Sequence, residues 1–165
     1  MKPATILIIL LTIPACSHEK PKNIAKAEIK VSKHAKKEIS VQFIGKKGVF
    51  RVSAELAVDF TSREKGLMFR KKLASDKGML FVFPHEAVNQ FWMKNTLIPL
   101  DMVFINKDLR VIGIVHHANP LDETPVGPDN PSMYVVELPA GIAKSKGIVK
   151  GTIVIFKPLP PKAVE

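Results

Sequence analysis

The chain is short of several things, and each shortage removes a class of explanation. Among its 165 residues there is one cysteine, Cys16, which excludes an intramolecular disulfide and any metal site built on a cysteine pair. A fold without such staples must be held by its core alone. Tryptophan and tyrosine occur once each, as Trp92 and Tyr134, and the aromatic residues are not interleaved with lysines as a nucleic-acid surface requires. No nucleic-acid partner is expected. A run long enough to cross a bilayer is missing too, since Ile6 to Ile13 has only the length of a signal-peptide core. There is no glycine-rich phosphate loop, no nucleophile elbow around a serine and no internal repeat. Neither a cofactor nor a metal ion is expected.

What is present in excess is positive charge, +10 in all, and it is unevenly placed. Lys2 precedes the apolar run, and Ile13-Pro14-Ala15-Cys16 resembles a bacterial lipobox, in which cleavage before the cysteine leaves it to carry acyl chains. Residues 1–15 are therefore expected to be a signal peptide and Cys16 the lipidation site. Ser17 to Glu38 holds seven lysines against three glutamates and no aromatic residue. Such a segment cannot bury enough surface to fold and reads as a tether drawn to anionic headgroups, so residues 16–38 form a lipid-anchored basic linker. The resemblance implies an exported protein on the periplasmic side of the envelope. Ser17 rather than Asp after the cysteine points to the outer membrane under enterobacterial sorting.

From Ile39 the patterning changes. Ile39 to Phe43 alternates as a half-buried strand should, Gly45 to Gly48 is a turn, and Val49 to Val58 alternates again with Arg51, Ser53 and Glu55 on the polar face. Thr61 to Glu64 fits a capping box, which predicts a helix from Thr61 to about Lys72 with Arg63, Gly66, Leu67 and Arg70 on one stripe. Gly66 in mid-helix suggests a close neighbour. Gly78 to Phe83, Phe91 to Lys94, Leu100 to Ile105, Leu109 to Val115, Tyr134 to Leu138 and Thr152 to Phe156 read as further strands, with a short helix between Pro139 and Gly147. His116 to Ser132 carries four prolines and reads as a long loop. The expected fold is mainly β, in the α+β sense: a compact twisted sheet or partly closed barrel of about seven to nine strands with two short helices. One globular domain spans residues 39–157, followed by a Pro-rich tail at 158–165.

Phe91 to Ile105, FWMKNTLIPLDMVFI, encloses few polar atoms in much apolar surface, so those few need partners. Asp101 reads as a buried carboxylate paired with an arginine. Arg63, Arg70, Trp92, Asn95, Thr96, Asp101 and Glu137 then form a polar cluster with two readings. As a structural network, Asp101 pairs with one arginine, Glu137 with the other, and Trp92 packs in the core. As a pocket, the same groups grip a small anion or sugar against Trp92. Both demand the same contacts. Other chemistries have weaker support: a hydrolase with Asp101 or Glu137 as acid or base, a copper(I) carrier using Met68, Met79, Met93, Met102 and Met133, or calcium held by Asp122, Glu123, Asp129 and Asn130. His116 and His117 are poor metal partners if, as strand neighbours, they point to opposite faces. Docking on an envelope protein is the remaining class.

Four motifs occur in order: Arg63-x-x-Gly66-Leu67-Met68-x-Arg70, Gly78-Met79-Leu80-Phe81, Phe91-Trp92-Met93-Lys94-Asn95-Thr96 with Pro99-Leu100-Asp101, and Glu137-Leu138-Pro139-Ala140-Gly141. Together they resemble the family of the domain of unknown function number 192, over roughly Leu56 to Ile155. The resemblance implies a small, single, mainly β domain, frequently exported, and brings no agreed activity.

Overall fold

A computed structural model describes residues 38–164. The expected signal peptide, Cys16 and the tether as far as residue 37 lie outside the described residues. The elements are β1 (Glu38–Gly45), β2 (Gly48–Ala57), α1 (Phe60–Lys65), β3 (Lys77–Ala87), β4 (Leu100–Ile105), β5 (Val111–Ala118), β6 (Ser132–Pro139), α2 (Ile142–Lys146) and β7 (Ile153–Lys157). The strands form one sheet in the order β5-β4-β6-β3-β2-β1-β7, antiparallel throughout except where β2 meets β3. It curls into a half-barrel, and its two edge strands touch at one end. There Arg110 bridges Ile153, Val111 N donates to Thr152 O at 3.0 Å and Val154 N donates to Leu109 O at 2.8 Å. This is the mainly β sheet with two short helices that the patterning predicts.

Strand alternation divides the apolar residues into two layers. Ile39, Val41 and Phe43 of β1 face Leu80, Val82, Val103, Ile105, Val136, Leu138, Val154 and Phe156 in the hollow of the half-barrel. Met79, Phe81, Leu100, Met102, Phe104 and Val135 point to the other face, where Leu67 and Met93 from the flanking segments cover them. β4 is buried on both faces, which explains its nearly unbroken apolar sequence. Fully burying each large side chain contributes about 1.5–3 kcal/mol, so this strand alone anchors both layers.

The structure departs from the expected elements at four places, each with a local cause. The first helix is capped by Asp59 rather than Thr61: the Asp59 carboxylate accepts from Ser62 N at 2.8 Å, and Asp59 N donates to Ser62 Oγ at 3.2 Å. It ends at Lys65 instead of Lys72 because Gly66 turns to φ 46°, so no common helical stripe of Arg63, Gly66, Leu67 and Arg70 exists. Phe91 to Lys94 is not a strand; only Phe91 pairs, as an isolated bridge with Val126. β3 continues through Pro84 to Ala87, because Pro84 falls where the ladder with β6 is interrupted and no amide hydrogen is required. β5 runs to Ala118, three residues past the expected end, by way of a bulge: His116 and His117 together oppose Asp101, and His117 takes the left-handed φ of 52°.

Candidate functional site

The sheet register separates the residues that the sequence groups together. Asp101 pairs with Leu138 and Met102 with Glu137, so Asp101 and Glu137 lie on opposite faces. The single cluster of arginines, Asn95, Asp101 and Glu137 is thereby corrected into two unconnected sites.

Asp101 is fully buried on the side of the hollow, and no arginine reaches it. Its Oδ1 accepts from His117 N at 3.0 Å and its Oδ2 from Ala143 N at 2.9 Å. The second bond caps α2, whose own N-cap residue, Gly141, has no side chain to do so. The first pins the bulge, and both imidazoles flank the carboxylate, with Nδ1 of His116 at 3.8 Å and Nδ1 of His117 at 3.9 Å from Oδ1. Alternation fails for this histidine pair because of the bulge, and the rings share one carboxylate instead of facing apart. Asp101 is a structural acceptor for backbone amides.

Glu137 is the other buried carboxyl group, 5% exposed, in β6 between Met79 of β3 and Met102 of β4. Its Oε2 is buried with no hydrogen-bond partner. The expected ion pair with an arginine is not made. Arg70 instead forms a fork with Glu55, at 2.8 Å to Oε1 and 2.6 Å to Oε2, because β2 sets Glu55 beside Met79 on this same face. Burial pushes the Glu137 carboxyl up to about 8, with the nearby Arg70 charge opposing the rise. At neutral pH Glu137 is a neutral carboxylic acid.

Above Glu137 opens a cleft of about 150 Å³. Phe81, Phe83, Phe91, Leu67, Met68 and Gly66 supply apolar walls, while Arg63, Glu64, Lys65, Gln90, Trp92 and Thr96 complete the lining. The walls are held edge to face, Phe91 standing 5.1 Å from Phe81 and 5.7 Å from Phe104 between ring centroids. Gly66 turns the chain over the cleft, and a Cβ there would lie 3.3 Å from the Phe81 ring. Arg63 spends its guanidinium on carbonyls, Nη1 donating to Val58 O at 2.7 Å and Val82 O at 3.1 Å, and Nη2 to Val164 O at 3.3 Å. Thr96 Oγ1 donates to Lys94 O at 3.3 Å. Trp92 is not in the core: it is 44% exposed at the mouth, with Lys94 Nζ 4.9 Å from its ring centroid. Asn95, with φ 54°, holds the adjoining turns, its carbonyl accepting from Phe69 N at 2.8 Å.

Of the seven residues singled out, then, Arg63, Trp92, Thr96 and Glu137 line one cleft, Arg70 and Asn95 support it from beside, and Asp101 serves elsewhere. Sequence reasoning does not place Glu55, Phe91 and Met68 at this site. A signal for Glu55 existed, since the alternation of Arg51, Ser53 and Glu55 marks a polar face, but the register that brings that face to Glu137 is not written locally. The copper(I) and calcium readings gain no gathered ligand set among the described residues. Met79, Met93 and Met102 are packed in the apolar layer, Asp122 Oδ1 accepts from Thr124 N at 2.9 Å, and no group of three or more His, Cys, Asp or Glu among the described residues could hold a metal ion.

A curled, mainly β domain with a buried acid beneath an aromatic-walled cleft is the class that fold and site define. The model of the DUF192 family, described as an uncharacterized ACR, matches residues 41–156, and the chain belongs to that family. Two solved structures resemble it closely. A protein of unknown function from Novosphingobium aromaticivorans is 37% identical, with a TM-score of 0.69 over 72% of this chain and 84% of that one. A candidate transcription regulator from Sinorhizobium meliloti is 37% identical, with a TM-score of 0.72 over 76% of this chain and 98% of that one. None of the curated proteins matches the chain.

Proposed function

We propose that this protein is an exported, lipid-anchored module that binds a small ligand in the Glu137 cleft. The observation that carries the reading is the unpartnered Oε2 of Glu137, since a buried polar atom without a partner costs about 1–3 kcal/mol and a ligand would supply the missing bond. Apolar walls around one convergent polar group suit a small-molecule site. The export half of the reading rests on the signal-like run and Cys16. Transcriptional regulation is the role suggested for the Sinorhizobium relative; among the described residues α1 has six residues and α2 five, too short to serve as a recognition helix.

A thermal-shift screen of metabolites against wild type and Glu137→Gln tests the binding reading. A ligand should raise the melting temperature of the wild type and lose at least most of that effect in the variant. Shifts of equal size in both proteins would remove the cleft from the account. The hydrolase reading keeps one supporting observation, an acid held protonated near neutral pH in an open cleft. Turnover of a screened ligand that disappears in Glu137→Gln would establish it.

A further inference from the structure

The chemical class of the ligand follows from which donors and acceptors at the cleft are already taken. Resting on the reading of the cleft as a binding site, we propose that it takes a primary ammonium group on a short apolar stem, the ammonium reaching Oε2 of Glu137. An anionic ligand would need a cationic donor turned into the cleft, and the two nearby guanidinium groups are engaged elsewhere. Both Nη atoms of Arg63 are committed to backbone carbonyls, those of Arg70 to Glu55, and the Thr96 hydroxyl to Lys94 O. A sugar ring would need several polar partners and a bare aromatic face. At depth there are only Glu137 and Thr96, with Gln90 exposed at the rim, and Lys94 already lies over Trp92. What the cleft does supply is one buried carboxyl oxygen without a partner and apolar walls of phenylalanine, surroundings that suit a cation carried on hydrocarbon.

Opposing charges are weak or cancelled. Arg70 is neutralised by the Glu55 fork, Arg63 is bound to carbonyls, and Glu64 and Lys65 on α1 are exposed, of opposite sign and screened. β3 and β4 set only Met79 and Met102 beside Glu137. Because burial holds Glu137 protonated, ammonium binding expels that proton to solvent and leaves a carboxylate paired with the cation. By linkage, affinity must then climb about tenfold per pH unit below the Glu137 value and level off above it.

The test titrates the full chain in detergent micelles with three four-carbon probes, n-butylamine, 1-butanol and butyrate, followed through the backbone amide NMR signals of Gly66, Leu67 and Phe91. Butylamine should shift these signals, bind about tenfold more tightly at pH 7 than at pH 6, flatten above about pH 8, and weaken at least tenfold in Glu137→Gln. Tighter binding of butanol or butyrate, lost in Glu137→Gln, would overturn the ammonium class while leaving the cleft as a binding site. Butylamine affinity that does not change between pH 6 and 8 would overturn it equally. If none of the three probes moves these signals, both the ligand class and the binding reading fall.

Discussion

Two carboxyl groups, both buried, show how much a side chain's role depends on donors that lie far away in sequence. Asp101 has two amide donors, one for each oxygen, whereas Glu137 has none for Oε2. Burial of both could be anticipated from the apolar residues around them. Their partners could not, because His117 N is aimed by a bulge without a local signature, and Ala143 N by a helix start that is legible but whose place beside Asp101 is set by the sheet. Asp101→Asn should therefore destabilise the domain, since an amide offers one acceptor where two are used and turns its NH2 toward a donor. The cost expected in urea unfolding is about 1–3 kcal/mol, below that of an orphaned ion pair, with the α2 amides exchanging faster. An unchanged midpoint would remove Asp101 from the structural account.

At the scale of elements, strands were more legible than helices. Ile39 to Phe43 and Leu100 to Ile105 announce themselves by alternation and by continuous apolar character, and both lie within observed strands. The first helix differs from expectation at both ends because Thr61 and Asp59 compete as caps and because Gly66, expected in mid-helix beside a close neighbour, has that neighbour in Phe81 but stops the helix. Its positive φ is a backbone requirement, and sequence periodicity alone does not report it. Asp59→Ala should cost about 1 kcal/mol by removing the cap, a loss readable as a lower urea midpoint. The cap is also pH-sensitive: hydrogen bonds from Ser62 hold the Asp59 carboxyl below its usual value, so its contribution is present above that value and is lost as the pH falls through the lowered one. A wild-type acid limb no steeper than that of Asp59→Ala would contradict this assignment.

For the whole molecule, the plan of leader, tether, domain and Pro-rich tail is legible in composition, and the leader and the tether as far as residue 37 lie outside the described residues. The account expects a fatty-acid probe to label the wild type in cells and not Cys16→Ala; equal labelling would remove the anchor. Within the domain, the site was legible as a list of residues and illegible as a geometry, since the order β4-β6-β3-β2 decides that Glu137 shares a face with Glu55 and not with Asp101. The central claim is that Glu137 stands as a neutral acid beneath the cleft, and global stability against pH tests it most directly. Its folded value, about 8, lies above the unfolded 4.5, so the stability it confers is complete below about 4.5 and is lost as the pH rises toward 8. Urea unfolding of wild type and Glu137→Gln should thus diverge from about pH 5 to about pH 8, the wild type losing ground by up to ~1.4 kcal/mol per unit, and run parallel above that. Curves that stay parallel from about pH 5 upward would mean that Glu137 is ionised in the fold, and would contradict the account.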